Sequence, residues 1–82
     1  MHESGMIRRL IEVARQEATQ RGGTLRGIDV RLGALAGGDE AHLREHLEIE
    51  LARLGISQVT LHIVSEPMRP TGIEITGIEV AE

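Results

Sequence analysis

The chain has 82 residues, the size of one domain, and its formal charge of −4 comes from thirteen carboxylates set against nine arginines. Nucleic-acid binding draws on cationic residues and aromatic stacking platforms, so an acidic chain with no aromatic residue is a poor candidate. The absence of cysteine excludes disulfides, thiolate metal sites and thiol catalysis. No segment has the apolar length of a signal peptide or a membrane span, which predicts a cytoplasmic protein with no membrane role.

The core must be built from aliphatic side chains, because no Phe, Tyr or Trp is present. A domain of this size buries only about 60% of the surface that its unfolded chain exposes. The core is therefore thin, and association with a partner, including a second copy in a homodimer, would help to cover it.

Apolar side chains recur with the 3.6-residue period of an amphipathic helix over residues 5–20. Ser4 is a suitable N-cap, and Gly22 with Gly23 supplies the stop. The helix is therefore expected to begin directly after His2 and Glu3, and its apolar stripe would hold that terminal segment in place.

The next two elements are a strand and a second helix. Residues 24–35 alternate apolar and polar side chains, which predicts a half-buried strand with a bulge at Gly27. Helical spacing returns over residues 40–54, where leucines recur every three or four positions, and Gly55 ends this helix. Glu50 is interpreted as part of its exposed face.

Two further strands complete the chain. Residues 58–65 alternate again, with His62 on the polar side, where it would face solvent or a partner. Residues 73–81 also alternate, but the apolar phase changes at Gly77. This change predicts a bulge that keeps the four apolar side chains of the last strand on the core face.

This order of elements predicts an α+β fold, with residues 1–82 as a single domain. Two helices pack on one face of a three-stranded mixed β-sheet, in the order α-β-α-β-β. The strand–helix–strand unit favours a parallel first pair by right-handed crossover. The last two strands are expected to be antiparallel, which makes the sheet mixed.

Several metal-binding groups occur together at the start of the sequence. They are the amine of Met1, which the large His2 side chain is expected to leave unprocessed, the imidazole of His2 and the carboxylate of Glu3. Amine nitrogen, imidazole nitrogen and carboxylate oxygen are all possible ligands of a transition-metal ion. Metal binding at the amino terminus is one hypothesis; a solvated terminus with no ligand is the other.

Four stretches occur in order along the chain: the opening Met-His-Glu before an amphipathic helix, the run Val-Arg-Leu-Gly-Ala-Leu-Ala-Gly at residues 30–37, the helix opening Leu43-Arg44, and the closing Ile-Thr-Gly-Ile-Glu-Val at residues 75–80. Together they resemble the HypA/HybF family of nickel metallochaperones. The resemblance covers nearly the whole chain in order. It implies a nickel-binding domain that delivers Ni(II) during maturation of nickel–iron hydrogenase, or of urease. The implied partners are a maturation GTPase or an apo-hydrogenase subunit.

The resemblance also implies which residues bind the ion. The family's nickel site is built on the position of His2, assisted by the terminal amine, neighbouring backbone amides and the acidic residue at the position of Glu3. The family normally carries a zinc-binding hairpin with two Cys-x-x-Cys pairs between its last two strands, where this chain has only residues 66–72. No structural zinc is therefore expected, and regulation and partner choice are expected to differ.

Two other functions stay open. One is a metal-free protein-interaction module that kept the scaffold and lost its metal role together with the zinc hairpin. The other is a zinc hydrolase that uses His42, Glu45 and His46, because the two histidines lie at i and i+4 of a helix. A solvated helix flank explains the same residues, and no nucleophile, base and orienting group occur together. The chain is therefore predicted not to be an enzyme.

Overall fold

The elements follow the predicted order of helix, strand, helix, strand, strand. The computed structural model describes residues 3–33, 40–68 and 72–82. Its elements are α1 (Glu3–Gln20), β1 (Thr24–Gly33), α2 (Glu40–Arg53), β2 (Thr60–Glu66) and β3 (Ile73–Ala81). The helices cover one face of the sheet, so the predicted α+β architecture is confirmed.

The sheet is mixed and has the strand order β2-β1-β3. β1 pairs with β2 in parallel and with β3 in antiparallel orientation. The parallel first pair and the opposite directions of β2 and β3 agree with expectation. β2 and β3 are not neighbours, however, because β1 lies between them. The central position suits β1, whose apolar side chains are all buried, since a central strand is covered by a neighbour on each side.

The bulge predicted in β3 is present. Val30 pairs with Ile75 and the preceding residue Asp29 pairs with Gly77, so Thr76 is the extra residue of β3. This extra residue restores the apolar phase, and all four apolar residues of the strand pack against the core. A second irregularity lies where Gly27 predicted it, because the register with β3 shifts between Leu25 and Gly27.

Both helices end at a glycine in the left-handed region, Gly22 with φ 79° and Gly55 with φ 72°. After α1, the N–H of Gly23 donates to the carbonyl of Ala18 at 3.1 Å and that of Gly22 to Thr19 at 2.9 Å. α2 ends with the same pair of bonds, which satisfies carbonyls that have no partner inside the helix.

The start of α1 differs from expectation. The helix includes Ser4 and begins at Glu3, so the prediction of Ser4 as N-cap is wrong. Glutamate is a favourable residue type in a first helical turn, because a carboxylate interacts well with the positive end of the helix dipole.

The core lies between the helices and the covered face of the sheet. Ile7, Ile28 and Leu47 are at its centre, with at most 1% of their surface exposed. Burying an aliphatic side chain of this size contributes roughly 1.5–3 kcal/mol. The full set of buried apolar residues is Ile7, Ile11, Ala14, Ala18, Leu25, Ile28, Val30, Leu32, Leu43, Leu47, Leu51, Leu61 and Ile63.

One carboxylate, that of Glu50 in α2, is buried between the two helices. Glu50 was expected on an exposed face, but its side chain is 2% exposed. One of its oxygens accepts a hydrogen bond from Arg8 of α1 at 3.3 Å, and the other accepts one from Arg53 at 3.1 Å. The sequence interpretation was wrong here because Glu50 lies three residues after Leu47, on the leucine stripe of α2. Its two arginine partners compensate the burial of the charge.

Candidate metal-binding sites

The predicted amino-terminal site lies largely outside the described residues. Met1 and His2 are not among them, and of Glu3 only its place as the first residue of α1 is described. What the structure does describe is the support of this segment. Ile7 and Ile11 are fully buried, so the first turns of α1 are fixed on the core.

The position of that first turn follows from the connection between α1 and β1. Only residues 21–23 separate the helix from the strand, so α1 runs back along the sheet, antiparallel to β1. The start of α1 therefore lies at the end of the sheet where β1 finishes. At that end the N–H of Gly33 also donates to the carbonyl of Gly72 at 2.8 Å.

The second group of candidate ligands lies on the face of the sheet that no described helix covers, here called the open face. Asp29 of β1, His62 of β2 and Glu79 of β3 each offer a ligand atom there, and these atoms all lie within 4.8 Å of one another. His62 Nε2 and Glu79 Oε1 are 3.3 Å apart. Each of the three strands thus contributes one ligand.

Strand register brings these three side chains together. Asp29 is the Cα partner of His62 on one side and of Gly77 on the other. Glu79 pairs with Gly27, which is two residues before Asp29 on β1. The glycine leaves space for the carboxylate, since a Cβ at position 27 would lie 2.3 Å from Glu79 Oε1. Glu79 therefore lies across the middle strand, towards His62 and Asp29.

Charge on the open face is distributed unevenly. Arg31 donates to Glu74 of β3 and to Glu66 of β2, with N–O distances of 2.8 and 3.5 Å. Asp29, two residues earlier on the same strand, is half-buried, and its carboxylate has no hydrogen-bonding or ionic partner among residues 3–33, 40–68 and 72–82. The arginine therefore neutralises one end of the open face, while the group Asp29–His62–Glu79 stays acidic.

The histidine pair of α2 is present as the sequence predicted. The rings of His42 and His46 lie on one side of the helix with centroids 4.4 Å apart, tilted by 53°. Glu45 is exposed. Within the described part of the chain no third acidic or histidine ligand joins this pair, because Asp29, His62 and Glu79 form the one group of three with ligand atoms so close together.

Sequence reasoning missed the group on the open face. It placed His62 on the polar side of its strand, which is correct, but it assigned no ligand role to Asp29 or Glu79. All three positions have the polar phase of their strands, which is a usable signal. The signal does not show that the three residues are close together, because that depends on β1 lying between β2 and β3.

Comparison with known proteins adds no relative from which a role could be carried over. No family model, curated protein or solved structure matches this chain. Among the described residues, neither helix combines the length and the apolar character that a membrane crossing requires.

Proposed function

We propose that this chain is a non-enzymatic carrier of Ni(II) that binds the ion at its amino terminus. His2 is the principal ligand, assisted by the Met1 amine, neighbouring backbone amides and Glu3. The observation that carries the proposal is the sequence Met1-His2-Glu3 running directly into a helix that the buried Ile7 and Ile11 hold on the core. The resemblance of nearly the whole chain to nickel metallochaperones supports the choice of metal.

The chemistry of the segment suits a carrier. Nitrogen donors from adjacent residues favour Ni(II) in a tetragonal arrangement. The first turn of α1 leaves several backbone N–H groups without partners in the helix, and its positive dipole end opposes a bound cation. The Glu3 carboxylate offsets part of that repulsion. Moderate affinity follows from this balance, and it suits an ion that is passed on.

The proposal also includes delivery of the bound Ni(II) to another protein. The carrier would act in the cytoplasm and pass Ni(II) to a maturation GTPase or an apo-hydrogenase subunit, or to urease. In this proposal the chain takes part in the maturation of a nickel enzyme, and it does so without a zinc hairpin. Restoration of hydrogenase activity in nickel-limited cells that lack their own metallochaperone is the cellular test.

Titration calorimetry with Ni(II) tests the binding step on protein that begins at Met1. We expect about one equivalent of bound Ni(II), and loss of this binding in His2→Ala, because the principal nitrogen ligand is removed. An amino-terminal tag should have the same effect, since it converts the donor amine into an amide.

The matched control is the variant His42→Ala/His46→Ala, which removes the other close histidines and leaves the amino terminus intact. It should bind Ni(II) like the native chain. Unchanged binding in His2→Ala, or loss only in the α2 variant, would contradict the proposal.

A metal-free interaction module is the second candidate, and a groove between α1 and β3 favours it. Met6 and Val13 of α1 line this groove and are 37% and 53% exposed. Ile73 and Ile75 line its other side and are only half-buried. If the native chain takes up no Ni(II), and Val13→Arg abolishes association with a partner or a second copy, this function replaces the carrier.

A further inference from the structure

We propose that the open face of the sheet holds a second metal site, in which Asp29, His62 and Glu79 bind a divalent transition-metal ion of the Zn(II) class. This site is independent of the amino-terminal one. Its three ligands come from the three strands, and none of them belongs to α1 or to the segment before it.

The separation of the ligand atoms is close to what an ion needs. Ligands at about 2.1 Å from an ion cannot lie further apart than about 4.2 Å. The three atoms here lie within 4.8 Å of one another, and His62 Nε2 and Glu79 Oε1 are already at 3.3 Å. Small rotations of the three side chains therefore suffice, and the backbone of the sheet does not have to move.

The sheet holds the ligands in position before any ion binds. The Cα atoms of Asp29 and His62 are partners in the parallel ladder, which fixes their side chains next to each other on one face. The missing side chain at Gly27 gives Glu79 room to lie across β1. Because the backbones are fixed by hydrogen bonds on both sides of β1, binding orders only three side chains.

Charge favours a cation at this place. Two carboxylates lie close together, and among the described residues their one near cationic candidate is His62. Arg31 cannot compensate them, since it binds Glu66 and Glu74 instead. A divalent ion would neutralise both carboxylates and would use the oxygen of Asp29 that has no other described partner.

The ligand types indicate the class of ion. One imidazole and two carboxylates are borderline to hard ligands that suit Zn(II) and its neighbours, whereas Mg(II) and Ca(II) prefer oxygen alone. Three protein ligands leave a fourth position open. His62 and Glu79 are more than half exposed, so water or a ligand from a partner can occupy that position.

The experiment uses a parent variant in which His62 is the one remaining histidine. The chain has four histidines, so His2→Ala/His42→Ala/His46→Ala removes the other three. Calorimetric titration of this parent with Zn(II) should show about one bound equivalent, and binding should raise the unfolding temperature. The chelator EDTA should reverse both effects.

Three single substitutions in this parent test the ligands. His62→Gln, Asp29→Asn and Glu79→Gln should each weaken Zn(II) binding at least tenfold, since loss of even an outer-shell partner costs about 10- to 100-fold. Glu74→Gln is the matched control, because it removes the same charge from the same face of β3 while Arg31 keeps its ion pair with Glu66. Since an exposed charge contributes little, the affinity should stay within about twofold.

A spectroscopic measurement separates ligation from a general charge effect. In the parent, the imidazole ¹⁵N signals come from His62 alone, and Zn(II) should shift its Nε2 signal while the backbone spectrum stays folded. The proposal is overturned if the parent binds no Zn(II), or if Glu74→Gln weakens binding as much as Glu79→Gln. Neither result bears on nickel at the amino terminus, because the parent already lacks His2.

Discussion

The two faces of the β-sheet differ in composition: the covered face is apolar and the open face carries charged residues. The covered face carries Ile28, Val30 and Leu32 of β1 into an aliphatic core beneath two helices. The open face carries Asp29 and Arg31 of the same strand. Alternate residues of one strand thus serve stability and surface chemistry separately. The chain can change the chemistry of the open face without changing the core.

Truncation on the covered face should have the largest effect and tests this difference directly. Ile28→Ala removes a fully buried side chain from the central strand. We expect it to lower the free energy of unfolding by about 2–5 kcal/mol, because the lost contacts leave a cavity. Urea denaturation followed by circular dichroism measures the change.

The neighbouring residue provides the control. Asp29→Ala on the open face should change the free energy of unfolding by less than about 0.5 kcal/mol in metal-free buffer. Comparable losses in the two variants would contradict the division between the faces.

The buried carboxylate between the helices should give an intermediate effect. Arg8→Ala/Arg53→Ala leaves the carboxylate of Glu50 buried without its two arginine partners. We expect a loss of about 1–3 kcal/mol, and a smaller loss in each single variant, because one arginine then remains.

Adding Glu50→Leu to that double variant sharpens the test. It removes the unpaired charge and should recover much of the lost stability, as replacement of a buried ionic group by an apolar one often does. The same urea measurement applies. No recovery would show that the arginines act through packing of their aliphatic portions and not through the carboxylate.

The smallest effect is expected at an apolar residue of the open face. Val64 of β2 is 57% exposed, and threonine has a similar shape and a similar preference for strands. Val64→Thr should therefore stay within about 0.5 kcal/mol of the native chain in urea denaturation. A larger loss, dependent on protein concentration, would mean that a second copy covers the open face.

Local patterns were sufficient for the elements and for one fine detail of the sheet. The change of apolar phase at Gly77 predicted the bulge in β3, because a strand whose core residues change parity must insert a residue to keep them on one face. The opposite directions of β2 and β3 were also predicted correctly. Local pattern does not say which strand lies in the middle, since strand order depends on contacts between distant segments.

Long-range contacts also explain the two features that were not predicted, the burial of Glu50 and the group Asp29–His62–Glu79. Glu50 has the spacing of a buried residue and the charge of an exposed one, and its burial depends on Arg53 nearby and on Arg8, which is 42 residues away in the sequence. The group Asp29–His62–Glu79 depends in the same way on strand order. The amino-terminal hypothesis rests on sequence, because Met1 and His2 lie outside the described residues.

The two ion pairs of Arg31 lie on either side of the connection between β2 and β3, and they affect whether residues can be inserted there. By holding Glu66 at the end of β2 and Glu74 at the start of β3, Arg31 joins the two outer strands across the middle one. The strand ends on both sides of residues 67–72 are thereby tied to the sheet independently of what connects them. Doubling the length of such a connection costs only about 0.6 kcal/mol in closure entropy. An additional module can therefore be gained or lost at this position while the sheet keeps its register.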